Sequence, residues 1–136
     1  GAFFAGGSAY FCSTNGGPTE RGQVYRLDIG VSGQNDRLTL IAQADKEDVL
    51  DRPDNITVAP WGDVFVAEDG KSPNGIFLIR PDGKAIQVAR NAVNSGDSEV
   101  TGICFSPDGK WLFLNIQWEG LTVAVTGPFE NLSTAV

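Results

Sequence analysis

Two segments of this chain share one layout: an apolar strand, a turn built on Pro-x-Gly, and a second apolar strand. The first runs Ile56 to Ala59, turns at Pro60-Trp61-Gly62 and returns along Val64 to Ala67. The second runs Thr101 to Phe105, turns at Ser106-Pro107-Asp108-Gly109-Lys110 and returns along Trp111 to Asn115. Pro60 maps onto Pro107 and Gly62 onto Gly109 at an offset of 47 residues, and Phe65 onto Phe113 after one inserted residue. Gly22-Gln23-Val24-Tyr25-Arg26-Leu27 resembles Gly75-Ile76-Phe77-Leu78-Ile79-Arg80 at an offset of 53. A period of about 50 residues with several short strands in each is a mark of propeller blades. A β-sandwich of similar strand content is the competing architecture.

The remaining strands follow from alternation and turn chemistry. Ala2 to Ala5 and Ala9 to Ser13 form a hairpin through Gly6-Gly7, and Gln23 to Leu27 and Leu38 to Gln43 complete a first set. Asn55 to Ala59, Asp63 to Ala67, Ile76 to Arg80 and Ala85 to Ala89 make a second, with Pro81-Asp82-Gly83 as its last turn. There Pro presets φ and Gly accepts a positive φ. Thr101 to Phe105, Trp111 to Asn115 and Leu121 to Val125 make most of a third. Asp45 to Leu50 is read as a short helical turn and Glu130 to Val136 as a fraying tail. No run carries helical period over three turns, so the expected class is all-β, a partial β-propeller of two to three blades. Closure takes roughly four to eight blades. With no initiator Met or signal peptide at Gly1, residues 1–136 are read as one partial domain of a longer chain.

Composition removes several functions. The chain of 136 residues has no histidine, which excludes Ser-His-Asp and Cys-His catalysis and His-held metals within it. Its net charge of −7 argues against a nucleic-acid partner, and no run is apolar for long enough to span a membrane as a helix. Cys12 and Cys104 have no CxxC partner and are read as buried free thiols, with a disulfide left open.

The first repeated hairpin carries the chemistry. Asp54 and Asn55 precede its first strand, and Glu68 and Asp69 follow its second. A hairpin brings its outer ends together, so these oxygens converge at one rim, as a hard cation such as calcium requires. Paired solvated loop ends would give the same pattern. Glu99, before the second hairpin, places a carboxylate near the position of Asp54. Asn115 and Gln117 are aligned with Glu68 and Asp69 as amides, to orient a substrate or cap strand ends. Asn15-Gly16-Gly17 offers a weak anion nest. Asn55-Ile56-Thr57 and Asn131-Leu132-Ser133 match the glycosylation triplet, which is frequent by chance. Trp61, Trp111 and Trp118 are read as seam or rim residues.

Several of these stretches, taken in order, resemble a known family. They are Arg52-Pro53-Asp54-Asn55-Ile56-Thr57-Val58, Glu68-Asp69-Gly70, Ser98-Glu99-Val100-Thr101-Gly102 and Phe105-Ser106-Pro107-Asp108-Gly109. Leu114-Asn115-Ile116-Gln117 and Ala124-Val125-Thr126-Gly127-Pro128-Phe129 follow. The series is similar to the C-terminal part of the PhoX-type alkaline phosphatases. Tyr10-Phe11-Cys12-Ser13-Thr14-Asn15-Gly16-Gly17 and Gly22-Gln23-Val24-Tyr25-Arg26 fit as well. The resemblance implies a bacterial propeller phosphatase, exported by the twin-arginine route to the periplasm or beyond. It implies hydrolysis of phosphate monoesters with calcium and iron held by carboxylates. Asp54, Glu68 and Glu99 carry over as metal ligands, with Asp69 and Asn55 beside them.

The departures are equally specific. The family's N-terminal ligands are absent, neither cysteine matches the family's iron-binding one, and no Lys or Arg is carried over as a phosphate clamp. This segment is therefore expected to be inactive alone and to need the rest of the parent propeller. A calcium-dependent propeller lactonase or esterase is the alternative enzyme, and a non-catalytic binding propeller the alternative class.

Overall fold

A computed structural model describes residues 1–45, 50–71 and 73–132. It holds eleven strands in three antiparallel sheets, a partial propeller. The first blade is β1 (Ala2–Ala5), β2 (Ser8–Ser13), β3 (Gln23–Asp28) and β4 (Arg37–Gln43), paired in that order. The second is β5 (Pro53–Val58), β6 (Val64–Glu68), β7 (Gly75–Ile79) and β8 (Ala85–Arg90). The third is β9 (Val100–Phe105), β10 (Trp111–Ile116) and β11 (Leu121–Thr126). Every strand read from the sequence is present to within a residue or two. The helical turn read at Asp45 to Leu50 falls on residues 46–49, outside the described ones.

Alternation along the middle blade builds both seams of the arc. On one face Ile56, Val58, Val64, Val66, Phe77 and Ile79 pack against Val24 and Ala42 of the first blade. On the other, Phe65, Ala67, Ile76 and Leu78 pack against Val100, Ile103, Leu112, Leu114 and Ile116 of the third. Successive strand residues point to opposite faces, so one sheet serves two neighbours and β6 and β7 are buried throughout. Phe105 ties the second seam, edge-on to Trp61, Phe65 and Phe129 at centroid distances of 5.3, 5.0 and 5.5 Å.

The start of the tail differs from expectation, and its residues 133–136 lie outside the described ones. Phe129–Asn131 forms a 3-10 turn with Phe129 buried, and Leu132 packs on the same core. An aromatic ring over the seam gains more by burial than the turn loses in chain entropy. Trp61 is a seam residue as expected, whereas Trp111 and Trp118 are exposed. Cys104 also departs: it is free but exposed, because it lies opposite Phe113 on the far face of the third sheet. Cys12 is free and half-buried.

Among the described residues the sheets form an open arc, and the sheet faces at its two ends are apolar. Phe113 occupies in β10 the place of Phe65 in β6, yet Phe113 is 37% exposed and Phe65 fully buried. At the other end Phe4, Leu38 and Leu40 are exposed beside the stacked Phe11 and Tyr25. No helix among the described residues is long and apolar enough to cross a membrane.

Candidate functional site

β5, the first strand of the middle blade, packs against both β1 and β9. Its pairing with β6 is irregular at the start: Pro53 lies opposite Glu68 but Asn55 opposite Ala67, so Asp54 is an extra, bulged residue. A bulge re-aims a side chain that regular pairing would send elsewhere. β9 is irregular too. Cys104 lies opposite Phe113 and Thr101 opposite Asn115, which leaves one residue too many around Gly102 and Ile103. Gly102 there has φ +60, and a Cβ on it would collide with Asn115 Nδ2. Glycine is the residue that meets both demands.

The two bulges face one another across the second seam. Asn55 Nδ2 donates to Asp54 Oδ2 at 3.2 Å and to Glu99 Oε1 at 3.4 Å. Asn55 Oδ1 accepts from the Gly102 N–H at 3.1 Å. Asp54 Oδ1 accepts from Thr14 Oγ1 at 2.7 Å, which joins the first blade to the rim, and the Gly1 amine donates to the Asp54 carbonyl. The Glu99 carboxyl is raised above its ordinary value by burial first, and then by the charges of Asp69 and Asp54. Asp54, Asn55 and Asp69 of the hairpin thus lie near Glu99, which comes from the start of the third blade.

Glu68 does not join them in the same way. It is 3% exposed and alternates onto the face of Val64 and Val66 along β6, whereas Asp69, just past the strand, is exposed. Its Oε1 accepts from the Asp51 N–H at 2.6 Å and its Oε2 from the Gly75 N–H at 3.0 Å. The Asp51 carboxylate pairs in turn with Arg21 at 3.2 Å. Burial pushes the Glu68 carboxyl up to about 7, against the two backbone donors, which favour the charged form. Glu68 thus braces the loops flanking the rim, and each of its oxygens keeps a second lone pair.

Of the two amides, Gln117 keeps the place of Asp69, its N–H on the Glu99 carbonyl as that of Asp69 is on the Arg52 carbonyl, while Asn115 is displaced from the alignment read in the sequence. Ile116, opposite Val100 at the end of β10, holds the place of Glu68, and Asn115 that of Ala67. The inserted turn residue shifts the register by one. Asn115 Oδ1 accepts from Thr122 Oγ1 at 2.8 Å, while Gln117 is exposed in the next turn with its N–H on the Glu99 carbonyl at 3.1 Å.

Arg52 was not among the expected site residues. It is exposed, with φ +54, a backbone conformation uncommon outside glycine. Its N–H donates to the Arg21 carbonyl at 2.7 Å and its carbonyl accepts from Asp69 at 3.0 Å. The sequence sets this exposed arginine two residues before Asp54. Its place in the Arg52-Pro53-Asp54-Asn55 stretch was the available signal.

The donor chemistry suits a hard cation: carboxylate oxygens from two blades, partly desolvated, with a third carboxylate close enough to raise Glu99. Among the described residues no group of three or more His, Cys, Asp or Glu could hold an ion. The Cys12 thiol is pushed up to about 12, chiefly by burial.

The model of the family described as alkaline phosphatase PhoX matches residues 1–120 of the chain. No curated protein matches it.

Proposed function

The chain belongs to the alkaline phosphatase PhoX family, and on that premise we propose that its three blades are part of a metal-dependent phosphatase acting on phosphate monoesters. The observation that carries the metal reading is the pairing of Asp54 with Glu99 across the second seam, bridged by one amide. Asp54 and Glu99 are the principal ligands for calcium, and Asp69 adds charge beside them. Glu68 reaches a cation only through the lone pairs its backbone donors leave free. Bound calcium, with iron in the same cluster, would neutralise phosphoryl oxygens and favour in-line attack on phosphorus.

The chain's own residues supply binding and orientation. Arg52, exposed two residues before Asp54, is proposed as the cation that meets the phosphoryl group, and Gln117 and Asn115 as the amides that orient the ester. The remaining ligands come from further blades of the same propeller, packed on the apolar end faces marked by Phe113 and Phe4. These three blades alone are accordingly inactive. The family membership supports an exported protein, and the twin-arginine route to the periplasm or beyond is part of this proposal.

Calcium titration calorimetry on the full-length polypeptide tests the ligand set. Asp54→Asn and Glu99→Gln should each weaken calcium binding by roughly tenfold or more, since affinity follows ligand charge. Unchanged affinity in both variants would remove the rim from the metal site.

A further inference from the structure

The structure assigns Asn55 the part of a positioning residue that holds Asp54 and Glu99 at a set separation, rather than that of a metal ligand. The inference rests on the metal reading of the rim and specifies how that rim is built.

A side-chain amide has one acceptor oxygen and two N–H donors. Asn55 commits all three. Its oxygen takes the Gly102 N–H at 3.1 Å, and its nitrogen donates to Asp54 at 3.2 Å and Glu99 at 3.4 Å. Turning the amide over would set N–H against N–H at Gly102 and oxygen against two carboxylates, so the neighbours fix its orientation. A ligating amide presents its oxygen to the ion, whereas this oxygen is occupied by backbone. The nitrogen faces the carboxylates, where a donor lowers the cost of holding two like charges together before any cation arrives.

The acceptor end is fixed in turn. Gly102 has φ +60, and a Cβ on it would push against the Asn115 Nδ2. Asn115 is bonded to Thr122, so the Gly102 N–H is backed by β10 and β11. Asn55 thereby transmits the position of the third blade to the carboxylate on the second. Outer residues that orient metal ligands typically cost about 10–100-fold in metal affinity when removed.

Asn55→Ala and Asn55→Asp, made in the full-length polypeptide, separate the two roles. An oxygen ligand is served as well or better by aspartate. A positioning donor is lost in both variants, and aspartate adds a third carboxylate where two were bridged. Both variants should therefore weaken calcium binding by roughly tenfold or more. Hydrogen exchange supplies a readout that needs no metal. The Gly102 amide should exchange roughly tenfold faster in Asn55→Ala, from loss of its acceptor, and stay protected in Asn55→Asp. Calcium binding in Asn55→Asp equal to or tighter than wild type would overturn the inference, as would unaltered Gly102 exchange in Asn55→Ala. Failure of the wild type to take up calcium overturns the metal reading alone. The exchange comparison then still decides whether Asn55 links the two bulges.

Discussion

Glu68→Ala is expected to destabilise the protein by roughly 2–5 kcal/mol, because it strips the acceptors from two backbone donors in the interior. The Asp51 and Gly75 N–H groups both end on this carboxylate, and no solvent reaches the side chain to replace it. Glu68→Gln keeps one acceptor and should lose less.

The same residue sets a slope of stability with pH. Its folded value of about 7 lies above the ordinary 4.5, so the folded state binds the proton more tightly than the unfolded chain does. The contribution is fully present below the ordinary value and is lost as pH rises through about 7. The loss is on the order of 3 kcal/mol. Urea unfolding at pH 5 and pH 8 should show the wild type weaker at the higher pH and Glu68→Gln with most of that difference gone. A wild type equally stable at both would contradict the burial argument.

Phe65→Ala is expected to cost about 3–5 kcal/mol, the range for a buried aromatic whose site cannot collapse. Phe65 is fully buried between the second and third blades, edge-on to Phe105 at 5.0 Å. Phe105 in turn meets Trp61 and Phe129, so truncation at Phe65 loosens a four-ring cluster rather than one contact. Phe65→Leu should lose less than about 2 kcal/mol because most of the volume remains. Phe113→Ala is the informative contrast. It occupies the same place one blade on but is partly exposed, so in these three blades alone it should cost a fraction as much. In the closed propeller of the proposal it should approach the cost at Phe65. Thermal unfolding of both variants in both contexts measures the difference.

What the sequence disclosed and what it concealed divide along physical lines. The strands were legible because they depend on local alternation and on turn residues such as Pro60, Gly62 and Pro81-Asp82-Gly83. The approach of Asp54, Asn55 and Asp69 was legible because a hairpin must bring its outer ends together, and that of Glu99 because it precedes the second copy of the same hairpin. The bulges were not, since two residues opposing one depends on a partner strand's register and not on the strand's own pattern. That is why Asp54 turned to the rim while Glu68, read as its companion, turned inward to backbone donors. One inserted turn residue likewise moved Asn115 off the place of Glu68 and put Ile116 there. The exposure of Cys104 was hidden because its apolar strand lies on an end face of the arc. The backbone of Arg52 was not legible either, because positive φ is a property of the folded loop, although its place beside Pro53 and Asp54 was.

The central claim is that this rim belongs to a metal-dependent phosphatase. Elemental analysis of the purified full-length polypeptide, with turnover of p-nitrophenyl phosphate measured before and after chelation, tests it most directly. Bound calcium and iron are expected, with turnover abolished by chelator and restored by the metals, and with both calcium affinity and turnover lowered in Glu99→Gln. A metal-free protein, or turnover that survives chelation undiminished, would contradict it.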